Sequence, residues 1–157
     1  MRIYIESTIP SYVVARPSRD SIKAMRQQLT KDWWERKRKK HELFTSQIVL
    51  DEIVRGDLEM AGKRVQLLEK IAVLDITDEA KMLTREILES GLLPADADSD
   101  AAHIALATTH KMDILLSWNC KHIANPFIQS DLRRLALDFG HALPVLCTPT
   151  EASEELL

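Results

Sequence analysis

Three carboxylates in this 157-residue chain fall where a carboxylate is awkward. Glu6 ends RIYIE, a short apolar run that reads as a strand. Glu52, in TSQIVLDEIVRGD, lies one helical turn from Ile48, Val49 and Arg55. Its neighbour Asp51 also has apolar neighbours, and the helical period alone does not choose between them. Asp100, in PADADSDAAHIALA, shares a helix face with Ile104 and Ala107, the face expected to pack on a sheet. Asp96 is one turn earlier on the same side, whereas Asp98 leans elsewhere. A carboxylate without a partner near a core is costly. Acids gathered in one crevice repel by roughly 1–4 kcal/mol per pair at contact distance, and they raise each other's pKa. A divalent cation removes both problems. A ligand set made of oxygens, with no Cys/His cluster, suits Mg²⁺ or Mn²⁺ rather than Zn²⁺. Such an ion polarises a phosphodiester and activates a water. Taken singly, each acid also reads as a helix cap or a solvated loop residue, and Asp51 and Asp98 are read that way.

These residues must be positioned by elements, and the elements alternate. RIYIE, ELFTS, AVLDI, DILLS and PVLCT read as strands. Between them come a short helix from TIPSYVVA and a long one from SRDSIKAMRQQLTKDWWERKRKKH, with Ile22, Met25, Leu29 and Trp33 as its buried stripe. Then follow QIVLDEIVRG capped by Ser46, LEMAGKRVQLLEKI capped by Asp57, EAKMLTREILES opened by Thr77 or Asp78, AAHIALATTHK, and IANPFIQSDLRRLALDF. Alternation of this kind predicts a three-layer α/β/α sandwich around a parallel sheet of about five strands. Such sheets carry their active groups at the carboxyl ends of the strands. Glu6 ends the first strand and Ser117-Trp118-Asn119 follows DILL, so adjacency of those strands would place Glu6 and Asn119 on one crevice.

Composition narrows the class. With 45% hydrophobic and 29% charged residues the chain reads as one globular domain, 1–157. No apolar run is long enough to span a membrane, and the expected setting is cytoplasmic and reducing. Cys120 and Cys147 form no CxxC pair and read as packing residues. The net charge of −3 argues against a nonspecific nucleic-acid binder. The average hides an asymmetry: residues 19–40 hold nine Lys/Arg against three Asp/Glu, and the remainder 12 against 21.

MRIYIESTIPSY, SQIVLDEIVRGD, SDAAHIALATTHKMDILLSWNCKHI and PVLCTP together resemble a PIN-domain protein, similar to the VapC-like toxin ribonucleases of bacterial toxin–antitoxin systems. The likeness runs over nearly the whole chain. It implies a metal-dependent nuclease site, an RNA substrate and a small antitoxin partner that covers the site; pairing of two copies is also expected. By position it implies that Glu6, Glu52 and Asp100 hold Mg²⁺ or Mn²⁺, with Glu52 preferred over Asp51. Ser7, Thr8 and Ser117 would support them through hydrogen bonds. The family's usual Asp after the first strand is Glu6 here, and its usual fourth Asp is Asn119, which brings an amide oxygen but no charge. Asn119 would orient the water or the scissile phosphate.

Other side chains carry two readings each. His103 reads as a core histidine with a satisfied hydrogen bond, or as a neighbour of the metal. His122 reads as a loop residue or an RNA contact. Trp33 reads as core, and Trp118 as core or crevice wall. The run Arg36, Lys37, Arg38, Lys39 and Lys40 either complements a helix C-terminus or guides RNA toward an acidic site. The leading expectation is an Mg²⁺/Mn²⁺-dependent endoribonuclease. The alternative is a catalytically weak PIN-like module that binds RNA or protein. A phosphoacceptor domain fits poorly, because Asp75 lies within AVLDI and the first strand lacks paired acids.

Overall fold

The computed structural model describes residues 1–153; the last four positions of the expected domain lie outside the described residues. Five strands form one sheet: β1 (Arg2–Ile5), β2 (Glu42–Ser46), β3 (Ala72–Leu74), β4 (Ile114–Leu116) and β5 (Val145–Cys147). Their order is β3-β2-β1-β4-β5 and every pairing is parallel. The first strand of the chain is therefore the middle of the sheet. Ile3, Tyr4 and Ile5 are fully buried, as are Leu115 and Leu116 beside them, which is why these strands read as continuous apolar runs.

Seven helices connect the strands: α1 (Thr8–Val14), α2 (Ser21–Arg36), α3 (Gln47–Ile53), α4 (Leu58–Leu68), α5 (Asp78–Glu89), α6 (Asp98–Thr109) and α7 (Pro126–Asp138). Their mutual packing falls into two sets, α1 with α2 and α4 and α3 with α4, then α5 with α6 and α7. Right-handed crossovers explain the division. The chain steps outward from β1 to β3 with one set, returns past β1 to β4, and steps outward again with the other. The result is the expected three-layer sandwich. Five of the seven described helices, all but α1 and α6, start at a capping side chain: Asp20, Ser46, Asp57, Thr77 and Asn125 each accept a backbone N–H of the first turn.

Two expectations change. The long helix ends at Arg36, and Arg38–Lys40 continue as a single 3₁₀ turn before β2. Its buried stripe is also different. Ile22 and Met25 are exposed, at 60% and 55%, and the buried residues are Gln27, Thr30, Trp33 and Trp34. The polar pair is buried because it is satisfied. Gln27 accepts from Ser18 N and donates to the Arg16 carbonyl; Thr30 donates to the Arg26 carbonyl and accepts the Trp118 indole N–H at 2.7 Å. In addition, α6 begins at Asp98, which draws Asp98 and Asp100 into its first turn.

Candidate metal centre

The chain reverses its direction of travel across the sheet at β1, so the crevice between β1 and β4 is a topological switch point, where open α/β sheets bind ligands. Glu6 sits there, one residue past β1, with Ile5 paired to Leu116. It is 4% exposed. Ser7 Oγ donates to one oxygen at 2.7 Å, and the other accepts from Thr8 N at 3.1 Å, Thr8 Oγ1 at 2.5 Å and Ser117 Oγ at 2.8 Å. Ser7, Thr8 and Ser117 thus all donate to the Glu6 carboxylate. They fix the carboxylate and leave it lone pairs for another partner. Thr8 Oγ1 also accepts Trp118 N, which ties the loop after β4 to the start of α1.

Glu52 arrives from α3. It accepts from Ser99 Oγ and, at 3.1–3.2 Å, from Nε2 of His103. Asp51 takes Gln47 Nε2 instead, on the exposed side of α3. His103 is 1% exposed, and its Nδ1 meets Tyr4 Oη at 2.8 Å, which in turn meets Ser46 Oγ at 2.7 Å. A buried polar chain therefore runs from Ser46 through Tyr4 and His103 to Glu52. Burial pushes the Glu52 carboxyl up, but the His103 hydrogen bond and charge, with Ser99 and Ser7, outweigh it and hold the group at about 2. Burial pushes His103 down; the Glu52 hydrogen bond and the charges of Glu6, Glu52 and Asp100 outweigh this and raise it. Desolvation drives Tyr4 upward, so its phenol stays neutral.

Ligand atoms of Glu6, Glu52 and His103 lie within 4.8 Å of one another. Asp100 is not part of that group of three. Its carboxylate is drawn toward the loop after β4, accepting Asn119 Nδ2 at 2.9 Å and meeting His122 Nδ1 at 2.7 Å. Asn119 Oδ1 in turn accepts His122 N at 3.0 Å. The convergence read from sequence is thus Glu6 with Glu52, and the side chain beside them is His103, with Asp100 near enough to bias its proton. His103 takes the core-histidine reading, with both ring nitrogens bonded. His122 packs on Asp100, and its Nε2 is buried without a hydrogen-bond partner among the described residues. The Ser99 and His103 contacts to Glu52 were not visible as a motif; the one hint was that both share the first helical turns with Asp100.

The donor set fits a hard divalent cation. Two carboxylates converge on one point, no Lys or Arg among the described residues is bonded to either, and each retains lone pairs. His103 Nε2 faces an ionised carboxylate, so its proton serves Glu52 and the oxygens remain the hard ligands. Close by, Ser7, Thr8, Tyr12 and Lys23 line a cavity of about 320 Å³. The Arg26 guanidinium lies 5.3 Å from the Trp118 ring centroid. Lys23 and Arg26 are cations next to the acidic crevice that sequence reasoning left in the basic helix as a whole. Arg36–Lys40, by contrast, lead into the start of β2, at the opposite edge of the sheet. Five-residue β2 alone separates the two edges by about 15 Å.

The strand order, the all-parallel pairing and the two helix layers make the fold PIN-like. Among solved structures, VapBC2 from Rickettsia felis, bound to a DNA fragment from their promoter, is similar in fold, with a TM-score of 0.56 and 17% identity over 77% of this chain and 90% of that chain. No family model and no curated protein matches the sequence. No helix among the described residues is long and apolar enough to cross a membrane.

Proposed function

We propose that this chain is a divalent-metal-dependent endoribonuclease, the toxin of a toxin–antitoxin pair. The observation that carries the reading is the convergence of Glu6 and Glu52 at the switch point of a PIN-like sheet, each held by hydrogen bonds. Glu6 and Glu52 would hold Mg²⁺ or Mn²⁺, and Asp100, bonded to Asn119 and His122, would join them by turning its carboxylate. The bound ion supplies Lewis-acid polarisation of a phosphoryl oxygen and lowers the pKa of a water. Ser7, Thr8 and Ser117 keep Glu6 in place, and His103 with Ser99 keeps Glu52 ionised. Asn119 and His122 orient Asp100, and through its amide Asn119 positions the water or the scissile phosphate. Lys23 lies where it attracts an RNA backbone into the crevice. The partner is an antitoxin that covers this crevice, as the VapBC2 likeness suggests; two copies of the chain would pair, and the setting is cytoplasmic.

The test is cleavage of a single-stranded RNA in Mg²⁺ or Mn²⁺. Wild type cleaves, and both Glu6→Gln and Asp100→Asn lose at least 100-fold in rate (about 2.7 kcal/mol) with an unchanged circular dichroism spectrum. Equal cleavage by all three, or none by wild type at saturating metal, rejects the nuclease. The specific feature that favours the second reading, a binding module, is Asn119 in place of a fourth acid. Calorimetric titration with Mn²⁺ separates the two, since the module needs no ion for RNA or protein binding.

A further inference from the structure

The amino edge of the sheet carries a second constellation that the acidic crevice does not use. A cavity of about 560 Å³ opens where α2 and α4 end and β2 and β3 begin. Four cations line it, Arg38, Lys39, Lys63 and Lys70, against one carboxylate, Glu69. Only Lys63 has an acidic partner within 4.0 Å among the described residues, Glu59 at 3.2 Å on the exposed side. Helix C-termini accumulate Lys and Arg to complement the dipole, which is the ordinary account of such a cluster. The magnitudes argue against that account being complete. Two helix ends contribute about half a negative charge each, against a side-chain surplus of two positive charges once Glu59 is set against Lys63.

The cavity is also built rather than merely charged. Trp34 is buried, and the Arg38 guanidinium lies 5.1 Å from its ring centroid. A guanidinium stacked in this way keeps its edge N–H groups for a planar, bidentate acceptor. Arg38 Nε is shielded from solvent with no hydrogen-bond partner among the described residues, and so is His41 Nδ1 of the same lining. Two such atoms in one wall are uncommon in native structures. His41 lies in a positive field. Its pKa is lowered by burial and then by the N-terminal amine, Lys40 and Lys37. Leu43, Leu67 and Ile71 supply an apolar wall. Cations at one side and apolar surface at another, in a volume typical of small-molecule sites, match a phosphate joined to a flat, weakly polar group.

We propose that this cavity binds a nucleotide phosphate, of a free nucleotide or of an RNA strand, with Arg38, held over Trp34, and Lys39 and Lys70 on the phosphate and the apolar wall of Leu43, Leu67 and Ile71 at the base side. It stands apart from the acidic crevice by the length of the sheet and does not rest on the nuclease reading.

The experiment uses the full chain in EDTA, which removes metal from the acidic crevice. Three probes are titrated calorimetrically: inorganic phosphate, 5′-AMP, and a short single-stranded RNA. The expected result is saturable binding of 5′-AMP or of the RNA. It should weaken at least tenfold in Lys39→Glu/Lys70→Glu, whose exposed side chains leave the core untouched. Arg38→Lys, which keeps the charge and loses the fork, should also weaken it. Binding of 5′-AMP as tight as that of RNA identifies a mononucleotide site; RNA binding with no response to 5′-AMP identifies a strand-binding site, with a salt slope that falls in the double variant. No binding of any probe to wild type, or equal binding by wild type and the double variant, overturns the proposal. Neither result touches cleavage by the acidic crevice, which is read separately in Mn²⁺.

Discussion

Replacing Glu52 by Gln keeps the shape of the side chain and removes its charge, so it isolates the worth of the Glu52–His103 pair. A carboxyl held at about 2 instead of 4.5 corresponds to about 3 kcal/mol of stability. The Glu52 side chain is 20% exposed, so water screens part of this and about 2 kcal/mol is expected. The pH window follows from both partners. Glu52 is depressed, so its contribution is complete above 4.5 and is lost as pH falls toward about 2. His103 is raised, so the contribution is complete below 6.5 and is lost as pH climbs through its folded value. The stability difference between wild type and Glu52→Gln, from urea denaturation in EDTA, should therefore peak between pH 4.5 and 6.5 and shrink on both sides. EDTA matters because a divalent ion would compete with the imidazolium for the same carboxylate. A difference that stays constant within about 0.5 kcal/mol from pH 3 to pH 8 would refute the pair as described.

Asn119→Asp should replace a donor at 2.9 Å from Asp100 by a like charge. We expect it to destabilise the fold in EDTA by about 1–3 kcal/mol and to bind Mn²⁺ more tightly than wild type, both visible as a metal-dependent shift in thermal midpoint. A disulfide-exchange reagent at pH 8 should titrate Cys120, which is exposed, and leave Cys147 unreacted in the folded protein, because burial pushes its thiol to about 12. Rapid reaction of both thiols would contradict the packing of β5.

The strands and the place of Glu6 were legible because parallel strands buried on both faces have few sequence solutions, and a carboxylate at the end of one is conspicuous. The position of the basic run was also legible in principle: a helix that feeds a parallel strand must end at the amino edge, opposite the carboxyl ends where Glu6 lies. The inner face of α2 was not. Periodicity assigns burial to apolar side chains, and Gln27 and Thr30 are buried by hydrogen bonds to Arg16, Ser18 and Trp118. Nor could local pattern reveal that His103 completes a polar chain with Tyr4 and Glu52. Those residues are brought together by the packing of α3 and α6 around β1, which no local window contains. Asp100 illustrates the same limit, since its spacing marked a buried helix face, while Asn119 and His122, about twenty residues on, decide where its carboxylate points.

A chain whose first strand is the middle of its sheet is synthesised in an order at odds with its assembly. β1 leaves the ribosome early, yet its partner on one side, β4, ends at residue 116. Until then one edge of the central strand has no neighbour, and exposed strand edges invite wrong pairing. The same delay applies to the crevice. Ser117 and Asn119 follow β4, so Glu6 lacks one of its donors and Asp100 both of its anchors until about three-quarters of the chain has been made. A nascent chain therefore carries the acids long before it carries their geometry, and any activity they support waits on the loop after β4.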